Sequence, residues 1–166
     1  FTLTNQDGAR VSDRDFAGKY RLIYFGYTFC PDVCPIDLAK LMRGLQQFEQ
    51  ADAARAARVQ PIFISVDPER DTPAAIKTFT AQFHPRLIGL TGSAEEIAAA
   101  ARAYLVRYQR QEGATPGSYL IAHTQLAYLM SPEGEPVALI PIDNPQTPAD
   151  EGSPALVAAE LARWVR

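Results

Sequence analysis

The amino-acid sequence predicts an α/β fold: a central mixed sheet flanked by helices, with a β-hairpin at the N-terminus. Three observations carry that prediction. Leu22-Ile23-Tyr24-Phe25-Gly26-Tyr27 is a continuous apolar run, the pattern of a strand buried on both faces of a parallel sheet. Val59 to Val66, with Ile62-Phe63-Ile64 inside it, is a second such run. Between them Leu38, Leu41, Met42, Leu45 and Phe48 recur at helical spacing, and a helix joining two such strands is the β-α-β unit of a parallel sheet.

The remaining elements follow in chain order. Phe1-Thr2-Leu3-Thr4 alternates, Asp7-Gly8 is a turn signal and Arg10-Val11 returns, which makes the N-terminal hairpin. The first long helix is expected to start at Pro35 with Cys34 as its N-cap, because proline favours the first helical position and disfavours α geometry in the residue before it. Thr72-Pro73 opens a helix through Ile76, Phe79 and Phe83, Leu87 to Leu90 is a short strand, and Ser93-Ala94-Glu95-Glu96 is a capping box for an alanine-rich helix to about Tyr104. A short strand is expected from Leu105 to Tyr108. After the loop at Glu112 to Ser118, Tyr119-Leu120-Ile121 and Leu126 to Met130 read as adjacent strand segments around His123, and Pro136 to Ile140 as a further strand. A C-terminal helix capped by Ser153 packs through Leu156, Leu161, Trp164 or Val165. A hairpin, a β-α-β half and a later antiparallel pair with helices on both faces describe a thioredoxin-like architecture.

At 166 residues, with 47% hydrophobic and 21% charged residues, residues 1–166 form one domain that fills a core without disulfide staples. The formal net charge is −3 and no basic run is present, so nothing supplies the phosphate neutralisation that nucleic-acid binding needs. No apolar stretch is long enough to span a bilayer. No heptad or large apolar stripe speaks for an oligomer, so a monomer is expected.

The chemistry centres on Thr28-Phe29-Cys30-Pro31-Asp32-Val33-Cys34-Pro35, which holds both cysteines at the exit of the most apolar strand. A loop so short is a poor stability clamp, since the gain from a disulfide grows with loop length, and redox or metal chemistry is the better use. Both thiols are expected near the positive end of a helix, which favours the thiolate. Two thiolates either cycle between dithiol and disulfide or, with one imidazole added, form a soft site suited to copper.

The candidate imidazoles are His84 and His123. His84, in Gln82-Phe83-His84-Pro85 at a helix end, is expected to be partly exposed and without a metal role. His123 lies between two apolar strand segments and reads either as a core histidine that hydrogen-bonds a backbone carbonyl or as a ligand, because open parallel sheets present functional groups at strand ends, where a late loop can meet the cysteine loop. Asp67, at the exit of the neighbouring strand, reads equally as a turn residue before Pro68 and as an acceptor that orients a ligand or admits a partner. Met42 and Met130 fall on apolar positions and read as core, and Asp32 reads as a solvated loop charge.

Tyr24-Phe25-Gly26-Tyr27-Thr28-Phe29-Cys30-Pro31-Asp32-Val33-Cys34-Pro35, Ser65-Val66-Asp67-Pro68-Glu69-Arg70-Asp71-Thr72-Pro73 and the segment from His123-Thr124 to Glu133-Gly134 together closely resemble the SCO (SenC-type) family, over Phe1 to about Val137. The resemblance implies a thioredoxin-like domain, tethered to a membrane by an N-terminal anchor and facing the periplasm or the mitochondrial intermembrane space. It implies one copper ion per chain, as Cu(I), Cu(II) or both, held by Cys30, Cys34 and His123. Family members serve assembly of the dinuclear copper centre of cytochrome c oxidase subunit II, as copper donors, as reductants of its cysteines, or both. The partners so implied are subunit II or another copper acceptor, and a copper donor or thiol reductant protein. Two departures stand out: Ala122 occupies a position where many relatives carry Asp, and the Pro- and Asp-rich stretch from Ile140 to Ser153 matches the family poorly.

Two functions are therefore in competition. A copper chaperone passes its ion by ligand exchange to an acceptor's thiols, whereas a thiol-disulfide oxidoreductase uses Cys30 and Cys34 to reduce a partner disulfide. The extra residue relative to C-x-x-C widens the bite between sulfurs and favours the metal. A peroxide-reducing or redox-sensing protein on the same fold is a weaker third reading, because no further motif supplies a peroxide pocket.

Overall fold

The computed structural model describes residues 1–31 and 33–166, which leaves Asp32 and the solvated-charge reading of it outside the described residues. The two apolar runs form β3 (Tyr20–Gly26) and β4 (Val59–Ser65), which pair in parallel from Tyr20↔Val59 to Gly26↔Ser65. All seven residues of β3 are buried, as a strand covered on both faces requires. The hairpin of β1 (Thr2–Asn5) and β2 (Arg10–Ser12) adds to one side of the sheet through β5 (Ile88–Thr91). On the other side β8 (Ala127–Met130) pairs antiparallel with β3, and β9 (Pro136–Ile140) with β8. Among the described residues the strands of this sheet run in the order β2-β1-β5-β4-β3-β8-β9, parallel at the centre and antiparallel at both margins.

Among the described residues five α-helices cover this sheet: α1 (Val33–Ala51), the single turn α2 (Ala53–Ala56), α3 (Pro73–Thr80), α4 (Ala94–Ala103) and α5 (Pro154–Trp164). The caps fall where the sequence puts them. Thr72 accepts from the Ala75 amide, Ser93 and Glu96 form the capping box of α4, and Ser153 accepts from the Leu156 amide. The β3-α1-β4 crossover therefore delivers the N-terminus of α1 to the carboxyl end of the parallel strands.

Four local expectations are corrected. Helix α1 begins at Val33, so Cys34 lies within its first turn and is not its N-cap. Proline is tolerated one position later because first-turn amides have no helical acceptor to lose. The segment from Leu105 is not a strand: Leu105 takes a left-handed φ of 57°, the Val106 amide donates to Ala101 O at 2.8 Å and the Leu105 amide to Arg102 O at 3.2 Å. That is the helix-ending motif usually built on glycine, and the strand β6 (Tyr108–Glu112) starts only after it. The segments on either side of His123 are not neighbours, since β7 (Tyr119–His123) pairs with β6 in a separate two-stranded ribbon while β8 joins the main sheet. In α5 the buried positions are Val157 and Leu161, followed by Val165, whereas Leu156 faces solvent.

α5 packs along α1 at Gly44, where an added Cβ would lie 2.4 Å from the Val157 Cβ and 3.0 Å from the Pro154 carbonyl oxygen. Gly44→Ala is expected to lower stability by about 1–2 kcal/mol, overpacking outweighing the gain in helix propensity. Urea denaturation measures it, and the added change Val157→Ala is expected to return part of the loss.

Candidate metal centre

The site is assembled from the loop after β3, the first turn of α1 and the end of β7. The loop is pinned before it reaches Cys30. The Thr28 amide and hydroxyl both donate to the Asp71 carboxylate, at 3.0 and 2.5 Å, and Ser65 Oγ donates to the same group at 2.6 Å. Asp71 is fully buried, and burial raises its pKa against these three bonds. It thus ties the cysteine loop to the end of β4, a role that its place in the Ser65 to Pro73 stretch does not announce.

Cys34 is buried with no exposed surface, whereas Cys30 is partly exposed. The Cys34 amide donates to Cys30 Sγ at 3.5 Å, so one sulfur sits against the N-terminal turn of the helix that carries the other. Eighty-nine residues on, His123 Nε2 lies 3.1 Å from Cys34 Sγ. The other ring nitrogen, Nδ1, is 3.0 Å from the Thr124 carbonyl oxygen. A carbonyl only accepts, so Nδ1 carries a proton, and in the neutral ring the lone pair is on Nε2 and faces the sulfur. The Thr124 amide in turn donates to Arg107 O at 2.8 Å, and the Arg107 amide to Thr124 Oγ1 at 2.9 Å, which fixes this end of β7 against β6.

Two tyrosines of the β3 exit hold the ring edge-on. Tyr24 and Tyr27 lie with ring centroids 6.4 and 6.0 Å from His123 at 86° and 85°. Tyr24 OH donates to Asp37 Oδ2 at 2.9 Å, and Tyr27 OH accepts from the Ile121 amide at 3.1 Å. Neither tyrosine is distinguishable from core in the sequence, where both sit inside the apolar run.

The electrostatics correct one expectation. The Cys34 thiol is pushed well above its ordinary range, first by its hydrogen bond with Cys30 and then by burial, so in the absence of metal it stays protonated. The helix end does not outweigh those two effects. Asp37, one turn along α1, is likewise buried, and burial pushes its carboxyl up to about 6.

Asp67 holds the ribbon. Its carboxylate accepts from Tyr119 OH at 2.7 Å and from Arg70 Nε at 2.6 Å, and it is only 2% exposed. Tyr119 is the first residue of β7 and His123 the last. His84 is buried, not partly exposed: Nε2 meets the Glu49 carboxylate at 3.1 Å and Nδ1 accepts from the Arg86 amide at 3.0 Å, a structural network. Met42 and Met130 are buried core residues. Among the described residues, no three His, Cys, Asp or Glu side chains stand as a ready metal cluster, and no helix is long and apolar enough to cross a membrane.

Comparison with known proteins adds the following. The SCO1/SenC family model matches residues 1–158. The mitochondrial SCO1 homolog 1 of Arabidopsis thaliana is 45% identical over 133 residues, covering 80% of this chain and 39% of that protein. The chain thus spans less than half of that relative. The structure of Bradyrhizobium japonicum ScoI with copper bound superposes with a TM-score of 0.83 at 40% identity, covering 99% of this chain and 97% of that one. BsSco, a member of the Sco family of cytochrome c oxidase assembly proteins in which a disulfide switch was identified, superposes with a TM-score of 0.63 at 30% identity over 84% of this chain and 80% of its own.

The raised Asp37 pKa fixes the sign of a pH effect. A carboxyl raised from 3.8 to about 6 favours folding as the acid, a contribution that is complete below 3.8 and lost as pH rises through about 6. Asp37→Asn is therefore expected to stabilise the protein at pH 7.5 by on the order of 2 kcal/mol, with the difference shrinking towards pH 4. Chemical denaturation at the two pH values reads it.

Proposed function

The chain belongs to the SCO1/SenC family, and from that premise we propose that it is a copper metallochaperone that binds one ion through Cys30, Cys34 and His123 and delivers it to the dinuclear copper centre of cytochrome c oxidase subunit II. The observation that carries this reading is the 3.1 Å approach of His123 Nε2 to Cys34 Sγ, with Nδ1 engaged by a carbonyl. The donor set is right for copper: two sulfurs and a neutral imidazole are soft to intermediate ligands, and such mixed sites hold both Cu(I) and Cu(II). A copper-bound relative at 40% identity supports the same assignment.

Copper is the cargo, and the chain's residues do three things for it. The Thr124 carbonyl fixes the imidazole tautomer that leaves Nε2 free to bind, the usual role of such a partner. Capture displaces the thiol protons, because the thiolate is the metal-binding form, so uptake weakens as pH falls. Cys30, the more exposed sulfur, is the one from which an acceptor thiol takes the ion by ligand exchange. Asp67 acts at a distance, fastening through Tyr119 the ribbon that carries His123. The mitochondrial and bacterial relatives support a site on the intermembrane-space or periplasmic side of a membrane.

A second reading is favoured by one observation, the packing of Cys30 Sγ against the turn that bears Cys34. In it, two electrons pass from the two thiols to an acceptor disulfide, leaving a Cys30–Cys34 disulfide and an acceptor dithiol. The relative with a disulfide switch supports this as an accompanying activity.

His123→Ala separates the readings. It is expected to abolish the thiolate-to-Cu(II) charge-transfer absorption while leaving formation of the Cys30–Cys34 disulfide intact; Cu(II) binding unchanged from wild type contradicts the ligand assignment. For the second reading the assay is reduction of oxidised subunit II copper domain by copper-free protein. Thiol release on the acceptor is expected, and none leaves the chaperone role alone.

A further inference from the structure

The β6–β7 ribbon pairs with no strand of the main sheet among the described residues, yet it carries one of the three proposed copper ligands. Its position relative to the cysteine loop must therefore be set by side chains. One side chain reaches every piece involved. Arg70 donates through Nε to Asp67 Oδ2 at 2.6 Å and through Nη1 to the Tyr119 carbonyl oxygen at 3.0 Å. Its guanidinium carbon lies 3.6 Å from the centre of the Tyr119 ring and 4.8 Å from that of Phe29, the residue before Cys30. Arg110 stacks on Tyr119 at 3.7 Å and pairs with Glu69 at 2.9 Å, so a second cation binds the same aromatic ring to the segment that bears Arg70.

We propose that Arg70 is a positioning residue that couples the Cys30-bearing loop to the His123-bearing ribbon, so that the two parts of the site hold one geometry. The argument is one of shape and charge together. A planar guanidinium makes directional bonds along its edge while its faces stack on aromatic rings, and lysine reproduces the charge but not the plane. Of the three rings it faces, Tyr119 on the ribbon and Phe29 on the cysteine loop are the nearer two, and Tyr27 is third at 5.9 Å. Phe29 is 53% exposed, so without the stacking on Arg70 little else would order its side chain. The ribbon is then fastened to the rest of the fold by Tyr119 on Asp67 and Arg70 and by the Ile121 amide on Tyr27 OH. Tyr27 reaches the same loop from its start, since its carbonyl accepts from the Cys30 amide at 3.3 Å while its OH accepts from Ile121, and Arg70 adds the contact at Phe29.

This inference rests on the copper reading for its consequence but not for its geometry, and the test keeps the two apart. In copper-free protein, Arg70→Lys is expected to speed hydrogen exchange at the Ile121 amide at least tenfold, with the β3–β4 amides of Ile23 and Ile62 unchanged. Tyr119→Phe, which keeps the stacking and loses the bond to Asp67, is expected to speed it less. In copper-loaded protein, Arg70→Lys is expected to release Cu(I) to a competing chelator at least tenfold faster and to shift the Cu(II) charge-transfer band. Unchanged exchange at Ile121 in Arg70→Lys overturns the proposal, as does faster exchange throughout the main sheet. If the ribbon loosens while copper release and the band stay as in wild type, the coupling is overturned. Failure of the wild-type protein to bind copper would overturn the function proposed above and leave the exchange measurement to decide the position of Arg70.

Discussion

The contact between Cys34 Sγ and His123 Nε2 joins two parts of the chain that share no hydrogen-bonded ladder, and the rest of the structure is arranged to make it possible. Cys34 is placed by the buried centre of the fold. A fully buried strand leads into a loop pinned by Asp71, and the helix that follows crosses over to β4. His123 is placed by a two-stranded ribbon, and such ribbons are marginal unless one face is packed. Here Tyr119 and Ile121 turn inward, while Leu120 and Ala122 turn out, which supplies that face.

The proposed metal site needs sulfurs that are available without being reactive towards everything else. Burying Cys34 against Cys30 pushes its thiol towards the protonated form. The buried Asp37 carboxyl beneath Tyr24 adds to the same tension: the fold keeps polar groups near the site in environments that favour their neutral forms.

Much of this was legible in the sequence, for physical reasons that differ by element. Buried parallel strands write themselves as unbroken apolar runs, and caps write themselves as Thr-Pro, Ser-Ala-Glu-Glu and Ser-Pro, so β3, β4 and the starts of α3, α4 and α5 fall as expected. Cys30, Cys34 and His123 stood out by type and by the motifs around them. The start of α1 was misjudged because proline in a first turn is compatible with two registers. Leu105 concealed a helix end that glycine would have announced. The ribbon was missed because β7 and β8 are close in sequence, and pairing partners of short strands are not encoded locally. Asp71, Arg70 and Tyr119 lay inside recognised stretches or loops, but their roles depend on contacts 40 to 50 residues away, which a single sequence does not reveal.

The claim on which the account turns is that the two sulfurs and the imidazole close on one ion. Copper K-edge X-ray absorption of the protein loaded with one equivalent of Cu(I) tests it most directly. The account predicts a coordination shell of two sulfurs and one nitrogen, with the multiple-scattering pattern of an imidazole. A shell of sulfur alone, or one of nitrogen and oxygen without sulfur, would contradict it.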